Sequence, residues 1–282
     1  MDKIKKIWKK IYYFCGSIYR GLIGIFHDAS QKLQPIHSKI NWHNIGTTIE
    51  GRQIKVFQVL SKYNNQKKVL IVGAIHGNEV GTVKLSHQIL NWIYRNHKDY
   101  TNVNFYVIPV LNMDGYDQAI KNPDYFHRGR IGRFNKNGVD LNRNFPTSKF
   151  QKYSKWLSGK NFSEMSVRVF CGESGASESE IKTVTDFIER ENIDTVIALH
   201  NVGKDVLLNK NDVRAEKWAT FYKEKKFKIR YDLEYDSDFA SWCKEKNISF
   251  MSVEGTSRWG DDWAVQFRPL MKIFEDINTN NY

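Results

Sequence analysis

At 282 residues the chain is long enough for one large domain with a buried interior. Its 41% hydrophobic and 14% aromatic content, without a low-complexity tract, excludes an intrinsically disordered protein. A formal net charge of +12 ordinarily points to an anionic partner, but the lysines are scattered and no nucleic-acid module is recognisable, so a nucleic-acid partner is not expected.

The three cysteines, Cys15, Cys171 and Cys243, are widely spaced and form no C-x-x-C pair for metal or dithiol chemistry. That usage suits a reducing, cytoplasmic compartment.

The first 26 residues begin with five lysines and then turn apolar, as a secretory signal does. Arg20 interrupts the apolar stretch, no small-residue cleavage site follows, and the run is too short to span a bilayer. Ile4, Ile7, Trp8, Ile11, Cys15, Ile18, Leu22 and Ile25 instead recur at helical spacing with the lysines largely opposite, which predicts an amphipathic helix. Such a helix either makes peripheral membrane contact through residues 1–26 or docks on its own domain. His27 to Asn41, polar and carrying Pro35, reads as a linker. The expected organisation is a helix and linker over residues 1–41 and a single folded domain over 42–282.

From there strands and helices alternate. Gln53–Val59, Lys67–Ala74 and Val103–Val110 are β-rich runs, with a helical stretch from about Glu79 to Asn96 between the second and third. Ser177 with Glu180 spells a capping box, followed by the apolar face Ile181, Val184, Phe187 and Ile188 and then a strand at Thr195–Leu199. A further strand is predicted at Ile248–Val253. Apolar strands between amphipathic helices indicate an α/β fold, a mixed, largely parallel sheet covered on both faces, with ligands gathering at the carboxyl ends of the strands.

Three of those strand ends carry the candidate chemistry. His76 leaves one strand and Glu79 opens the next helix, so two potential metal ligands share one tight turn. His200, ending Val196-Ile197-Ala198-Leu199-His200, can supply a third from the same rim. Two histidines and a glutamate are a known donor set for hydrolytic zinc. Glu254 ends the strand before Gly255-Thr256, where a carboxylate is placed to take a proton from water. The stretch Arg133 to Pro146 is too polar for core and reads as an active-site loop. Arg133 suits a developing oxyanion, and Arg143 with Asn142 suits a substrate carboxylate.

Taken in order, Gly46 to Arg52, His76 and Glu79, Leu111-Asn112-Met113-Asp114-Gly115, Gly138 to Phe145, His200 and Glu254 resemble the zinc metallocarboxypeptidases, the carboxypeptidase A-like family, over roughly Ile45 to Phe274. The resemblance implies an eight-stranded mixed sheet with helices on both sides and one zinc ion held by His76, Glu79 and His200. It implies Arg133 as the carbonyl-polarising arginine, Asn142 and Arg143 as binders of the substrate carboxylate, and Glu254 as general base and acid. The wording of the Arg133–Pro146 loop is most similar to bacterial members that cleave murein peptides at γ-D-glutamyl-diaminopimelate bonds. The expected partner is therefore a peptide with a free carboxylate.

The family's tyrosine that closes over substrate matches neither Tyr231 nor Tyr235 cleanly, and both stay open. Asp236 or Asp238, where such enzymes build their specificity pocket, would meet a substrate amine. Two alternatives remain: a zinc deacylase of N-acyl amino acids, which shares Asp140-Leu141-Asn142-Arg143, and a non-catalytic peptide-binding relative, against which Glu254 argues.

Overall fold

The computed structural model describes residues 40–63, 66–122, 131–157, 166–231 and 237–280. The predicted N-terminal helix and nearly all of the predicted linker lie outside them, as do Tyr235 and Asp236. Ile40 is buried in the core and Asn41 opens the first strand, so the last two residues of that linker are part of the folded domain.

The central strands are almost wholly apolar because both of their faces are covered. In β3 (Lys67–Val72), Val69 and Ile71 pack into one hydrophobic cluster and Leu70 and Val72 into the other. β7 (Thr195–Asn201) and β10 (Ser249–Gly255) divide their side chains between the two clusters in the same way. With β1 (Asn41–Thr47), β2 (Gln53–Val59), β4 (Val103–Ile108), β8 (Asp205–Leu208) and β9 (Lys228–Tyr231) they form one eight-stranded sheet in the order β1-β2-β4-β3-β7-β10-β8-β9. The pairs β3/β4, β3/β7, β7/β10 and β8/β9 are parallel, and β1/β2, β2/β4 and β8/β10 are antiparallel, so the sheet is mixed as expected. A separate hairpin, β5 (Tyr153–Leu157) with β6 (Ser166–Phe170), had no signal in the sequence reading.

On one face lie α1 (Val80–Arg95), α4 (Val213–Lys223) and α6 (Trp263–Thr279), anchored by Ile89, Trp218 and Phe274. On the other lie α3 (Ser179–Glu191), α5 (Phe239–Glu245) and the loop around Leu141 and Phe145. The apolar face predicted for α3 is buried in full. Its predicted capping box does not form: the N-cap is Glu178 without a side-chain cap bond, and the Ser177 hydroxyl donates to Glu178 instead. Ser177 is drawn off because its oxygen also accepts from Asn144 Nδ2 at 3.0 Å, a tertiary contact that outweighs the local one.

Two quoted motifs meet at the sheet's edge. Asn112 caps α2 (Met113–Lys121), accepting from Gly115 N, while Asp114 accepts from Thr48 Oγ1 at 2.8 Å and Arg52 Nη1 at 2.6 Å across the β1–β2 turn. The β3–α1 turn that carries His76 presses directly on this helix. A Cβ at Gly77 would overlap backbone atoms of Gly115 and Tyr116, which cannot rotate away as a side chain would. Gly77→Ala should therefore cost about 3 kcal/mol, the upper end for overpacking, and weaken metal binding at the neighbouring His76, checked by chemical denaturation and metal titration.

Candidate metal centre

The parallel pairing of β3 with β7 brings the ends of two distant segments side by side. His76 and Glu79 leave β3 on the turn into α1, and His200 lies near the end of β7, all three nearly inaccessible to solvent. One ligand atom from each falls within 4.8 Å of the others, the one such group of three among the described residues. Glu79 sits in the middle: its Oε1 is 2.9 Å from His76 Nδ1 and its Oε2 is 3.0 Å from His200 Nδ1. The backbone N–H of Asn201 also donates to Oε2. Burial would raise the Glu79 carboxyl, but the two imidazoles outweigh it and hold the group below its ordinary value.

The far nitrogen of His76, Nε2, lies 3.1 Å from Asp140 Oδ1. A carboxylate there makes Nε2 the protonated nitrogen and leaves the Nδ1 lone pair facing the Glu79 oxygen. Nδ1 and the Glu79 oxygen at that distance share a cation, a proton in the metal-free protein or a divalent metal when one is bound. Asp140 thus orients the ligand from behind. The sequence reading missed it, because a carboxylate in a polar loop carries no periodic signal; its place seven residues after Arg133 was the available clue. Burial opposes its ionisation, yet Arg133 and His76 hold Asp140 well below the usual carboxylate range.

Arg133 lies in the same pocket. Its Nη2 donates to Asp140 Oδ2 at 2.9 Å, and its Nη1 is 4.0 Å from Glu79 Oε1. Asn112, the α2 cap, donates to the Arg133 carbonyl at 3.2 Å and so fixes the start of the loop. The rest of the loop is clamped at both ends by the segment before α3. Glu178 Oε2 accepts from Asn135 at 2.7 Å and Asn137 at 2.9 Å, and Asn144 donates to the carbonyls of Cys171 and Ser174. Between these clamps lie Asn142 and Arg143. Asn142 Oδ1 accepts from Phe239 N at 3.2 Å, which leaves its amide N–H2 as the group available to an anion. Arg143 is buried beside it with one Nη on the Asn142 carbonyl.

Glu254 occupies the β10 position next to His200 in the β7/β10 register, so the two side chains share one face of the sheet. Burial, helped by Glu79 and Asp205, pushes its carboxyl up to about 7 against the opposing pull of His200 and Arg133. Of the two candidate tyrosines, Tyr231 pairs with Leu208 and shares that residue's face, opposite to Glu254. Asp238 is buried and caps α5 through a bond from Ser241 N at 2.8 Å.

Residues 27–250 match the family described as zinc carboxypeptidase, peptidase M14. The chain belongs to the zinc carboxypeptidase family. Relatives include carboxypeptidase O of Bos taurus, 27% identical over 74% of this chain and 57% of that protein, and carboxypeptidase O of Homo sapiens, 29% identical over 70% and 52%. The chain spans little more than half the length of these relatives. The fold matches the murein-tripeptide amidase MpaA from Escherichia coli O157, with TM-score 0.63 and 19% identity over 86% of this chain and 93% of that one. It also matches carboxypeptidase A from Helicoverpa armigera, with TM-score 0.64 and 19% identity over 85% and 68%. Zinc is the ion of this zinc carboxypeptidase family, and the imidazole, imidazole and carboxylate donors of His76, His200 and Glu79 fit it.

Asp140→Asn should lower zinc affinity about 10- to 100-fold by loosening His76, whereas His76→Ala and His200→Ala should abolish tight binding, measured by competition with a chelator. In the zinc-stripped protein, ionised Glu254 is the disfavoured form of a group raised from 4.5 to about 7. Its destabilising effect is full above pH 7 and gone below 4.5. Glu254→Gln should accordingly raise the Tm of the zinc-free protein at pH 8 and leave it nearly unchanged at pH 4.5; the opposite trend would refute the assignment.

Proposed function

We propose that this chain is a zinc-dependent hydrolase that cleaves the peptide bond next to a free C-terminal carboxylate. The observation that carries the reading is the convergence of His76, Glu79 and His200 within 4.8 Å, with Glu254 on the adjoining strand position. Asn142 and Arg143 bind the terminal carboxylate of the substrate, a planar guanidinium and an amide being matched to such a group. That contact sets the scissile carbonyl between the metal ligands and Arg133, and orientation of this kind accounts for much of a rate enhancement.

Zinc, when bound, polarises the carbonyl and lowers the pKa of water. The Glu254 carboxylate takes the proton of the attacking water and then delivers it to the departing nitrogen. Arg133 donates hydrogen bonds to the oxygen on which negative charge develops, while Asp140 holds that guanidinium and the His76 ring in place.

For the substrate we favour murein-type peptides carrying γ-D-glutamyl-diaminopimelate bonds. The loop wording and the basic character of the chain support this, as does the fold shared with a murein-tripeptide amidase. A cytoplasmic enzyme with peripheral membrane contact through residues 1–26 remains our proposal for its setting. No helix among the described residues is long and apolar enough to cross a membrane.

Screening murein fragments, ordinary C-terminal peptides and N-acyl amino acids against the zinc-loaded chain tests the reading. Turnover of the acyl amino acids alone would convert it to a deacylase, and binding without hydrolysis would make it a non-catalytic relative. Glu254→Gln should keep its zinc and lose about 10²- to 10⁴-fold in kcat.

A further inference from the structure

Beyond Glu254 the sheet carries a second pair of charges facing the same cleft. His200, Glu254 and Asp205 occupy one rung across β7, β10 and β8. Ser252, Leu207 and Arg230 occupy the next rung back across β10, β8 and β9. Val206, Leu208 and Ile229 pack into the cluster on the opposite side, so alternation turns Asp205 and Arg230 towards the face of Glu254.

Asp205 and Arg230 are joined by an ion pair of 2.9 Å between Oδ2 and Nε, with side chains 11% and 42% exposed. Arg230 has no other partner among the described residues. An ordinary surface pair leaves both charges in water. Here the carboxylate is buried, at a cost that only close pairing offsets, so Arg230 is held at the cleft while the Nη edge of its guanidinium stays available.

The rung of Arg230 also lies on the side of the substrate's terminal residue. α5 packs on Phe250, the next inward-facing residue of β10, with ring centroids of Phe239 and Phe250 5.4 Å apart, and Phe239 N meets Asn142 Oδ1. A terminal residue whose carboxylate rested on Asn142 and Arg143 would therefore have the strip of Ser252, Leu207 and Arg230 on the sheet face next to it.

We propose that Arg230, fixed by Asp205, binds a second carboxylate on the terminal residue of the substrate and selects peptides ending in an acidic side chain. This rests on the hydrolysis proposed above and adds a specificity residue to it.

The test uses three peptides that differ in the last residue, glutamate, glutamine or lysine, with zinc-loaded wild type, Arg230→Gln and Arg230→Lys. Wild type should favour glutamate over glutamine in kcat/KM by about tenfold or more, the scale of one charge-assisted hydrogen bond. The ratio should collapse towards unity in Arg230→Gln and recover in part in Arg230→Lys. A purely structural role would lower all three peptides together and leave the ratio intact. Calorimetric binding of free L-glutamate and L-glutamine to the same proteins gives a readout independent of turnover.

Hydrolysis without a glutamate preference, a lysine preference, or a preference that survives in Arg230→Gln overturns the inference and leaves the hydrolysis reading standing. If none of the three is cleaved, the hydrolysis reading is decided by the murein fragments, and calorimetry decides Arg230. Tighter glutamate binding lost in Arg230→Gln then supports the inference, and equal binding overturns it.

Discussion

A buried carboxylate held between two imidazoles is the constraint on which the rest of this molecule turns. Isolated from water, the charge of Glu79 would cost several kcal/mol, and it is tolerated because His76, His200 and the Asn201 amide converge on it. Those groups come from β3 and β7, which lie side by side as parallel strands and therefore end at the same rim. A sheet buried on both faces cannot shift one strand relative to the next without exposing apolar surface, so the separation of the donors is set by the core rather than by the loops.

The arginines are governed by a different device. Arg133 and Arg143 belong to a loop, the kind of segment least able to hold a charge in place unaided. Buried amides and carboxylates supply the stiffness. Asn112 and Glu178 fix the beginning of the loop, Asn144 ties its far end to the segment before α3, and Asp140 between them engages both Arg133 and His76. The bonds of this network offset much of the desolvation cost of a polar loop lying against the core, although the Nε atoms of Arg133 and Arg143 are buried without a hydrogen-bond partner among the described residues. Glu178, which the sequence pattern suggested would lie inside a capping box, serves here as an acceptor for two asparagines.

Charge on the other flank of Glu254 is arranged by the same logic. Asp205 adds a negative charge beside Glu254 and raises its proton affinity, and the Arg230 guanidinium is paired with that charge. Both residues sit in short strands at the sheet's edge, where alternation decides which side chains reach the cleft.

The sequence alone determined the class of fold and most of the central elements. Runs of apolar residues bounded by helical periodicity can only be buried as a covered sheet, and the ends of those runs marked His76, His200 and Glu254. The Gln53–Val59 strand was delimited to the residue, and the helix after Glu79 nearly so. Short or half-exposed elements such as β1, β8, β9 and the β5/β6 hairpin were invisible, since each depends on neighbours far away in the chain for its burial and pairing. Only the tertiary structure revealed Asp140 behind His76, the failure of the Ser177 cap, the outward face of Tyr231 and the alignment of Asp205 with Glu254. Each is a relation across a strand register or a loop clamp. Periodicity records which face of its own element a residue occupies, and not which distant group will stand opposite it.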